Sequence, residues 1–215
     1  MGPMTESLPF ADRTDAGERL AALLDDREVS ADLVLAIPRG GLPVGRAVAD
    51  ALSVPLDVTV ARKVGAPGNP ELAVGAVGAD GSLWRNDDLI ARLGVSEGYV
   101  DSQAAREAEA AREKRDRYRG GRDPLNLVGK AVLIVDDGIA TGATTVACVR
   151  QARAAGADRV IVAVPVAPPE ALADLETEAD GVIALSTPAN FGAVGRFYRS
   201  FEQVPDEVAM TYLVG

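Results

Sequence analysis

Residues 132–145 of this 215-residue chain read Val-Leu-Ile-Val-Asp-Asp-Gly-Ile-Ala-Thr-Gly-Ala-Thr-Thr. The opening apolar run is typical of a strand buried on both faces of a parallel sheet. Two adjacent acids, Asp136 and Asp137, follow this strand, and a loop of small residues and hydroxyls then leads into a helix. The order predicts two carboxylates at the carboxyl end of a strand, beside the N-terminus of a helix.

This arrangement suits a sugar phosphate. A helix N-terminus offers unpaired N–H groups and partial positive charge, which favour a phosphate. Carboxylates accept hydrogen bonds from ring hydroxyls, or hold water on a divalent cation. An ordinary strand and turn with a helix capped by Thr141 would explain the loop, but it leaves the two acids after a buried strand unexplained. We therefore favour the ligand-binding interpretation.

The segment resembles the phosphoribosyl diphosphate (PRPP) motif of type I phosphoribosyltransferases, in which an apolar run, two acids and variable residues precede Thr-Gly and a further small or hydroxyl residue. The resemblance implies that Asp136 and Asp137 hold the ribose 2′ and 3′ hydroxyls and, through water, a Mg²⁺ cofactor. It also implies that the following loop binds PRPP around its 5′-phosphate, through Gly138, Ala140, Thr141, Gly142, Ala143, Thr144 and Thr145.

A second glycine-rich segment, Ile37-Pro38-Arg39-Gly40-Gly41, ends the first predicted strand. Glycines let a backbone approach a ligand closely or take positive φ, and the guanidinium fork of Arg39 suits phosphate. The resemblance implies that Arg39, Gly40 and Gly41 form the loop that binds the diphosphate, and it predicts a cis peptide between Arg39 and Gly40. A plain strand-to-helix turn is the alternative interpretation.

A third segment, Arg62-Lys63-Val64-Gly65-Ala66-Pro67-Gly68-Asn69-Pro70-Glu71, follows the second predicted strand. Its glycines and prolines predict no regular structure, although residues 73–77 could form one arm of a hairpin. Similarity to adenine-type members of the family implies that Arg62 and Lys63 bind PRPP, and that residues 62–80 form a mobile lid excluding water from the reacting sugar. A flexible surface loop with a solvated Lys63 is the alternative.

The tail from Ser186 to Tyr198 is rich in aromatic residues. The resemblance implies a small hood at residues 186–204 that contacts an acceptor base, with stacking candidates Phe191, Phe197 and Tyr198. Packing in the core or in a dimer is the alternative for each ring. Together with the third segment, this tail resembles an uncharacterised group of bacterial phosphoribosyltransferases.

Alternating apolar and helical patterns predict an α/β fold with a parallel sheet and helices on both faces. We predict a single domain over residues 1–215, with the type I phosphoribosyltransferase fold. Predicted strands cover residues 33–37, 55–61, 131–136, 159–166 and 181–185, and predicted helices cover 12–24, 41–52, 142–155 and 168–178. The segment 101–119 is rich in Ala, Glu and Arg and predicts an exposed helix with a solvated face.

The composition excludes several classes of function. A net charge of −10 without a long basic run argues against nucleic acid or an anionic membrane as partner, and no apolar stretch or leader predicts a membrane span. Without histidine, the chain has no His-assisted nucleophile and no His-containing metal site. Its single cysteine, Cys148, fits a small core residue in a reducing, cytoplasmic compartment.

The resemblance implies transfer of a phosphoribosyl group from PRPP to a nitrogenous base or related heterocycle, with catalytic residues Arg39, Lys63, Asp136 and Asp137. Ala140 stands where hypoxanthine-guanine-type members carry an acid that can serve as general base, so a 6-oxopurine acceptor is not favoured. A regulatory protein that senses PRPP or a nucleotide without turnover is the main alternative, and an unrelated α/β phosphatase or sugar-phosphate enzyme is the other. A homodimer is expected by analogy only.

Overall fold

The computed structural model describes residues 8–214, so the two ends of the predicted domain, residues 1–7 and 215, lie outside the described residues. In chain order, the helices and strands are α1 Arg13–Asp26, β1 Leu33–Ala36, α2 Gly41–Leu52, β2 Leu56–Val58, β3 Ala61–Ala66, β4 Asn69–Gly78, β5 Leu83–Arg85, α3 Asp87–Leu93, α4 Glu97–Arg119, β6 Ala131–Val135, α5 Ala143–Ala154, β7 Arg159–Val166, α6 Pro169–Glu176, β8 Gly181–Ser186 and α7 Asp206–Thr211. A 3₁₀ turn spans Val194–Phe197.

Five strands form one parallel sheet in the order β2-β1-β6-β7-β8. Alternate residues of a strand face opposite sides, and both sides of this sheet are apolar. Val34 and Ala36 of β1 face α1, α2 and α7. Leu33 and Leu35 face α5 and α6, in a core that includes the buried Cys148. The predicted fold class, a parallel sheet with helices on both faces, is confirmed.

The chain between β2 and β6 forms a second sheet, in the antiparallel order β3-β4-β5. The prediction that the Gly/Pro-rich stretch excludes regular structure is therefore wrong. A side chain at Gly65 would bring its Cβ within 2.6 Å of Pro70 Cα, so glycine permits the close approach of β3 and β4. Pro70 falls in the irregular pairing around this bulge, where a missing N–H costs little.

Helix α4 packs its small residues against the second sheet. Its buried face carries Val100, Ala104 and Ala108, which share an apolar cluster with Val64 of β3 and Val74 of β4. The predicted exposed helix is therefore correct for the outer face only. The buried face brings polar residues of α4 towards the carboxyl end of the parallel sheet.

The predicted hood packs against the segment that precedes α1. Phe10 pairs with Tyr198 in an isolated bridge, and both rings belong to a small cluster with Phe191 and Val166. Across residues 8–214, no helix combines the length and the apolar character that a membrane crossing requires.

Candidate functional site

Two loops meet at the carboxyl end of the parallel sheet because β1 and β6 are neighbours, with Ala36 opposite Val135. A Cβ at Gly40 would overlap the carboxylate of Asp137, and one at Gly41 would lie 2.8 Å from the backbone oxygen of Val135. The glycines thus allow the two loops to touch each other. The cis peptide of this loop joins Pro38 to Arg39, one bond earlier than predicted, since the sequence does not distinguish neighbouring bonds.

Asp137 is held by contacts from both ends of the chain. Arg13 Nε donates to its Oδ2 at 2.7 Å, and both side chains are largely buried. The hydroxyl of Tyr198 donates to the backbone oxygen of Asp137 at 2.5 Å. Arg13 is itself fixed, because its Nη1 donates to the backbone oxygen of Glu202. The position of this carboxylate is therefore set before any ligand arrives.

The neighbouring Asp136 is also half-buried, and its Oδ1 accepts the backbone N–H of Asp137 at 2.8 Å. Burial and the negative charge of Asp137 both raise the pKa of Asp136 well above its ordinary value. A cation or hydroxyl donors beside the pair would relieve this unfavourable charge. The arrangement has the electrostatic character of a binding site.

The chemistry of Asp136 and Asp137 fits a magnesium ion that other ligands help to hold. Within residues 8–214, no group of three or more acidic, histidine or cysteine side chains could hold a metal by itself. Mg²⁺ usually keeps several waters and takes one or two carboxylates together with substrate phosphates. Asp136 and Asp137 supply that smaller set, and a cation there would offset the repulsion between them.

The loop after the acids ends at an open helix N-terminus. Gly142 occupies the N-cap position of α5 with φ of +78° and no capping side chain, so the interpretation of Thr141 as a cap is wrong. Hydrogen bonding along α5 begins with Val146 N–H, which donates to Gly142 O, so the N–H groups before it have no acceptor within the helix. Ala140 and Thr141 are exposed beside them.

The other predicted residues of this loop differ in their exposure. Ala143 and Thr145 are buried, so the Thr145 hydroxyl is enclosed in the core, whereas Thr144 is half-buried. Gly138 lies under the hood, since a Cβ there would come within 2.6 Å of Val194 Cγ1. The hood therefore covers the start of the loop and leaves its centre open.

The ion-pair partner of Arg39 lies outside the predicted motifs. Its Nη1 lies 4.0 Å from Asp206 Oδ1, at the start of α7. The same carboxylate accepts a hydrogen bond from the Tyr118 hydroxyl at 2.6 Å, which is the main reason that the pKa of Asp206 is lowered. Asp206 is therefore a negative anchor beside Arg39.

A cavity of about 400 Å³, here called the cationic cavity, lies between β3 and α4. Both predicted basic residues of β3 line it, and each is engaged with an acid. Arg62 Nε contacts Glu107 Oε2 at 2.6 Å, and Lys63 Nζ contacts Glu71 Oε2 at 2.9 Å. Thr144, from the first turn of α5, also lines the cavity and connects it to the loop between β6 and α5.

The predicted stacking residues lie mostly in the core. Phe191 is 8% exposed and Tyr198 is 6% exposed, so core packing, the alternative interpretation, is correct for both rings. They are buried because Phe10 and Val166 complete an apolar cluster that the sequence pattern did not reveal. Phe197 is half-buried, with its ring centroid 5.3 Å from that of Phe191.

Several side chains at the site were not predicted. Arg13, Lys114 and Asp206 come from α1, α4 and α7, all distant in sequence from the motifs. None belongs to a glycine-rich or acidic motif. The one available signal was the composition of α4, where alanines on one face indicate close packing.

Comparisons with known proteins agree on the family. A family model described as "Phosphoribosyl transferase domain" matches residues 11–200. Two proteins named "Putative phosphoribosyl transferase", from the CDC 1551 and H37Rv strains of Mycobacterium tuberculosis, are 45% identical over 204 residues. These alignments cover 95% of this chain but 46% of each relative, so the chain spans about half the length of these relatives.

Solved structures agree on the fold. The crystal structure of TT1426 from Thermus thermophilus is similar with a TM-score of 0.82 and 43% identity, covering 96% of this chain and 98% of that chain. The structure of the AQ2163 protein from Aquifex aeolicus is 14% identical with a TM-score of 0.52, over 99% of this chain and 90% of that chain, and supports the fold alone.

Proposed function

The chain belongs to the phosphoribosyl transferase domain family, and from this premise we propose that it transfers a phosphoribosyl group from PRPP to a nitrogenous base or related heterocycle, releasing diphosphate. One observation carries the proposal. The adjacent carboxylates of Asp136 and Asp137, the uncapped N-terminus of α5 and the loop of Arg39 converge at one edge of the sheet. A pentose with a phosphate at one end and a diphosphate at the other matches these three elements.

In this proposal the site acts by position and charge. Asp136 and Asp137 orient the ribose hydroxyls, and the free N–H groups at the start of α5 hold the 5′-phosphate. Magnesium, held through water by the two carboxylates, would supply positive charge to neutralise the diphosphate. Arg39 and Lys63 would stabilise the leaving group as its charge grows.

Both cations must change partners to do so. Arg39 lies near Asp206, and Lys63 contacts Glu71, whose side chain is 89% exposed. Exposed ion pairs contribute only about 0.2–1 kcal/mol, so Arg39 and Lys63 can leave their carboxylate partners for a diphosphate at a small cost in free energy. The turn between β3 and β4, at residues 67–68, is exposed and remains our candidate for the moving tip of a lid over residues 62–80.

Two residues bear on the identity of the acceptor base. Ala140 is exposed at the loop and offers no proton acceptor, which argues against a 6-oxopurine. Phe197 is the remaining stacking candidate of the hood, because its ring is less enclosed than those of Phe191 and Tyr198. We further propose a cytoplasmic protein that acts as a homodimer, on the basis of the single cysteine and of analogy within the family.

The decisive experiment measures diphosphate release from PRPP and Mg²⁺ with a panel of purine, pyrimidine and other heterocyclic acceptors. We expect release with at least one acceptor in the wild type and little with Asp137→Asn. Arg112→Gln is a control outside the site, because Arg112 is 42% exposed on α4 and, among residues 8–214, forms its hydrogen bond and ion pair with Glu109. Tight PRPP binding without release would favour the sensor, and no PRPP binding would refute the proposal.

A further inference from the structure

The cationic cavity contains one cation that differs from the rest. Four basic side chains line it, namely Arg62, Lys63, Arg106 and Lys114. The first three contact carboxylates of Glu107 or Glu71 at 2.6, 2.9 and 3.5 Å. Across residues 8–214, the ion pairs within 4.0 Å do not include Lys114. Its Nζ donates instead to the backbone oxygen of Pro38, at 3.3 Å.

The surroundings of Lys114 disfavour its charge. The side chain is half-buried, and burial is the largest cause of its lowered pKa. The negative charges of Asp206 and Asp136 oppose this shift, whereas the positive charges of Arg39 and Arg62 add to it. A lysine in such a place costs stability unless something supplies negative charge. An anionic ligand in the cavity would do so.

The hydrogen bond to Pro38 does not by itself account for the charge of Lys114. Lys114 joins α4 to the loop after β1, since Pro38 immediately precedes Arg39. One neutral donor, such as the amide of glutamine, would make the same bond to a carbonyl oxygen. The centroid of the Tyr118 ring lies 5.8 Å from Nζ, near the outer limit of a cation–π contact, so the ring uses little of the charge. The position of the ammonium between the loop of Arg39 and the cavity indicates which ligand group it meets.

We propose that Lys114 is a diphosphate-binding residue, supplied by α4, whose ammonium contacts phosphoryl oxygens of the leaving group alongside Arg39 and Lys63. This inference rests on the proposed function and deepens it. Compact ammonium groups bind phosphate well as point charges. The helix would thus place one unpaired cation beside the loop, ready for the ligand, while Lys63 must first leave Glu71.

Calorimetry on Lys114→Gln tests this assignment with three ligands: diphosphate with Mg²⁺, ribose 5-phosphate, and PRPP with Mg²⁺. Loss of a charged hydrogen bond weakens binding by roughly 10- to 100-fold. We expect that loss for diphosphate and PRPP, with ribose 5-phosphate within about two-fold of the wild type because its subsites are separate. Lys114→Arg, which keeps the charge, should recover part of the diphosphate affinity, and Arg112→Gln should bind all three ligands like the wild type.

The outcomes separate the two proposals. Unchanged diphosphate affinity in Lys114→Gln would overturn the role of Lys114 while leaving PRPP binding in place. Equal losses for diphosphate and ribose 5-phosphate would show that Lys114 only supports the loop, and would also overturn it. A wild type that binds neither PRPP nor ribose 5-phosphate would refute the proposed function, and the role of Lys114 would fall with it.

Discussion

The two halves of the site hold their charged groups in different ways. On the parallel sheet, Asp137 is fixed by Arg13 and Tyr198, and the contact between the loops requires glycine at position 40. On the three-stranded sheet, ion pairs hold two cations that are themselves partly exposed, Arg62 at 43% and Lys63 at 33%. One half is rigid before a ligand binds, and the other must exchange partners.

This difference between a fixed and an exchangeable half matches the two parts of PRPP, its ribose 5-phosphate and its diphosphate. The ribose and its 5′-phosphate stay bound throughout the reaction, so fixed carboxylates and a fixed helix N-terminus suit them. The diphosphate leaves, so cations that can return to Glu71 or Glu107 suit it. The comparison predicts large effects for changes on the parallel sheet and small ones for the exposed pairs.

Gly40→Ala should have the largest effect. The backbone at Gly40 has φ of −63°, which alanine accepts, so the substitution changes only the added methyl group. That methyl would overlap the Asp137 carboxylate and force the two loops apart. We expect PRPP binding to weaken by about 100-fold or more, because small displacements of positioning groups are that costly, and stability to fall by roughly 1–3 kcal/mol. Calorimetry and thermal unfolding measure the two effects.

Gly98→Ala is the matched control for that variant. Gly98 lies in α4, and a Cβ there would meet no atom within 4 Å apart from the neighbouring backbone of its own helix. Alanine in a helix should be neutral or stabilise by about 0.5–1 kcal/mol relative to glycine, with PRPP affinity unchanged. If Gly40→Ala behaved like Gly98→Ala, the two loops would not depend on close contact. The claim that the parallel-sheet half of the site is rigid before a ligand binds would then be wrong.

Asp137→Asn should rank next. The amide keeps an oxygen for Arg13 but loses the charge that pairs with it and that would hold the ribose hydroxyls. Loss of one charged hydrogen bond costs about 1.5–3 kcal/mol, so PRPP affinity should fall about 10- to 100-fold. Stability should fall too, by about 1–2 kcal/mol, since Arg13 loses its charged partner. Unchanged PRPP affinity in calorimetry would show that Asp137 does not bind the ribose.

Asp136→Asn should weaken PRPP binding but change stability in the opposite direction. The raised pKa of Asp136 means that folding favours its neutral form, so its ionisation costs stability as pH rises above the ordinary value of 3.8. Asparagine removes that cost and can still accept the N–H of Asp137. We expect a gain of roughly 1 kcal/mol at neutral pH, about 2–4 °C in Tm.

A pH series checks the sign of that effect. The gain of Asp136→Asn over the wild type should vanish below the ordinary pKa, where the wild-type carboxyl is neutral in both the folded and the unfolded chain. Thermal unfolding at several pH values measures it. A variant that is less stable than the wild type at neutral pH would show that Asp136 is already compensated within the fold.

The same division explains how much the sequence could predict. The parallel sheet and its loops follow from local patterns, because an apolar run followed by Asp136 and Asp137 specifies both a strand and its exposed end. Of the second sheet, only one possible hairpin arm at residues 73–77 was predicted, and it lies in β4. The rest was missed because Gly65 and Pro70 act through a contact between strands rather than through local propensity. Lys114 was missed because its role depends on which face of α4 packs inward, and that is set by tertiary contacts.

Glu71→Gln should have the smallest effect and tests the exchangeable half directly. Its side chain is 89% exposed, so loss of the pair with Lys63 should change stability by less than about 0.5 kcal/mol. Freed from that pair, Lys63 would be more available to a diphosphate, and affinity should rise by a factor of about two to five, which corresponds to the energy of an exposed pair. Calorimetry with diphosphate and Mg²⁺ measures this gain, which should disappear when Lys63→Met is added. A fall in affinity would mean that Glu71 positions Lys63 for the ligand, and the second half of the site would then be as preformed as the first.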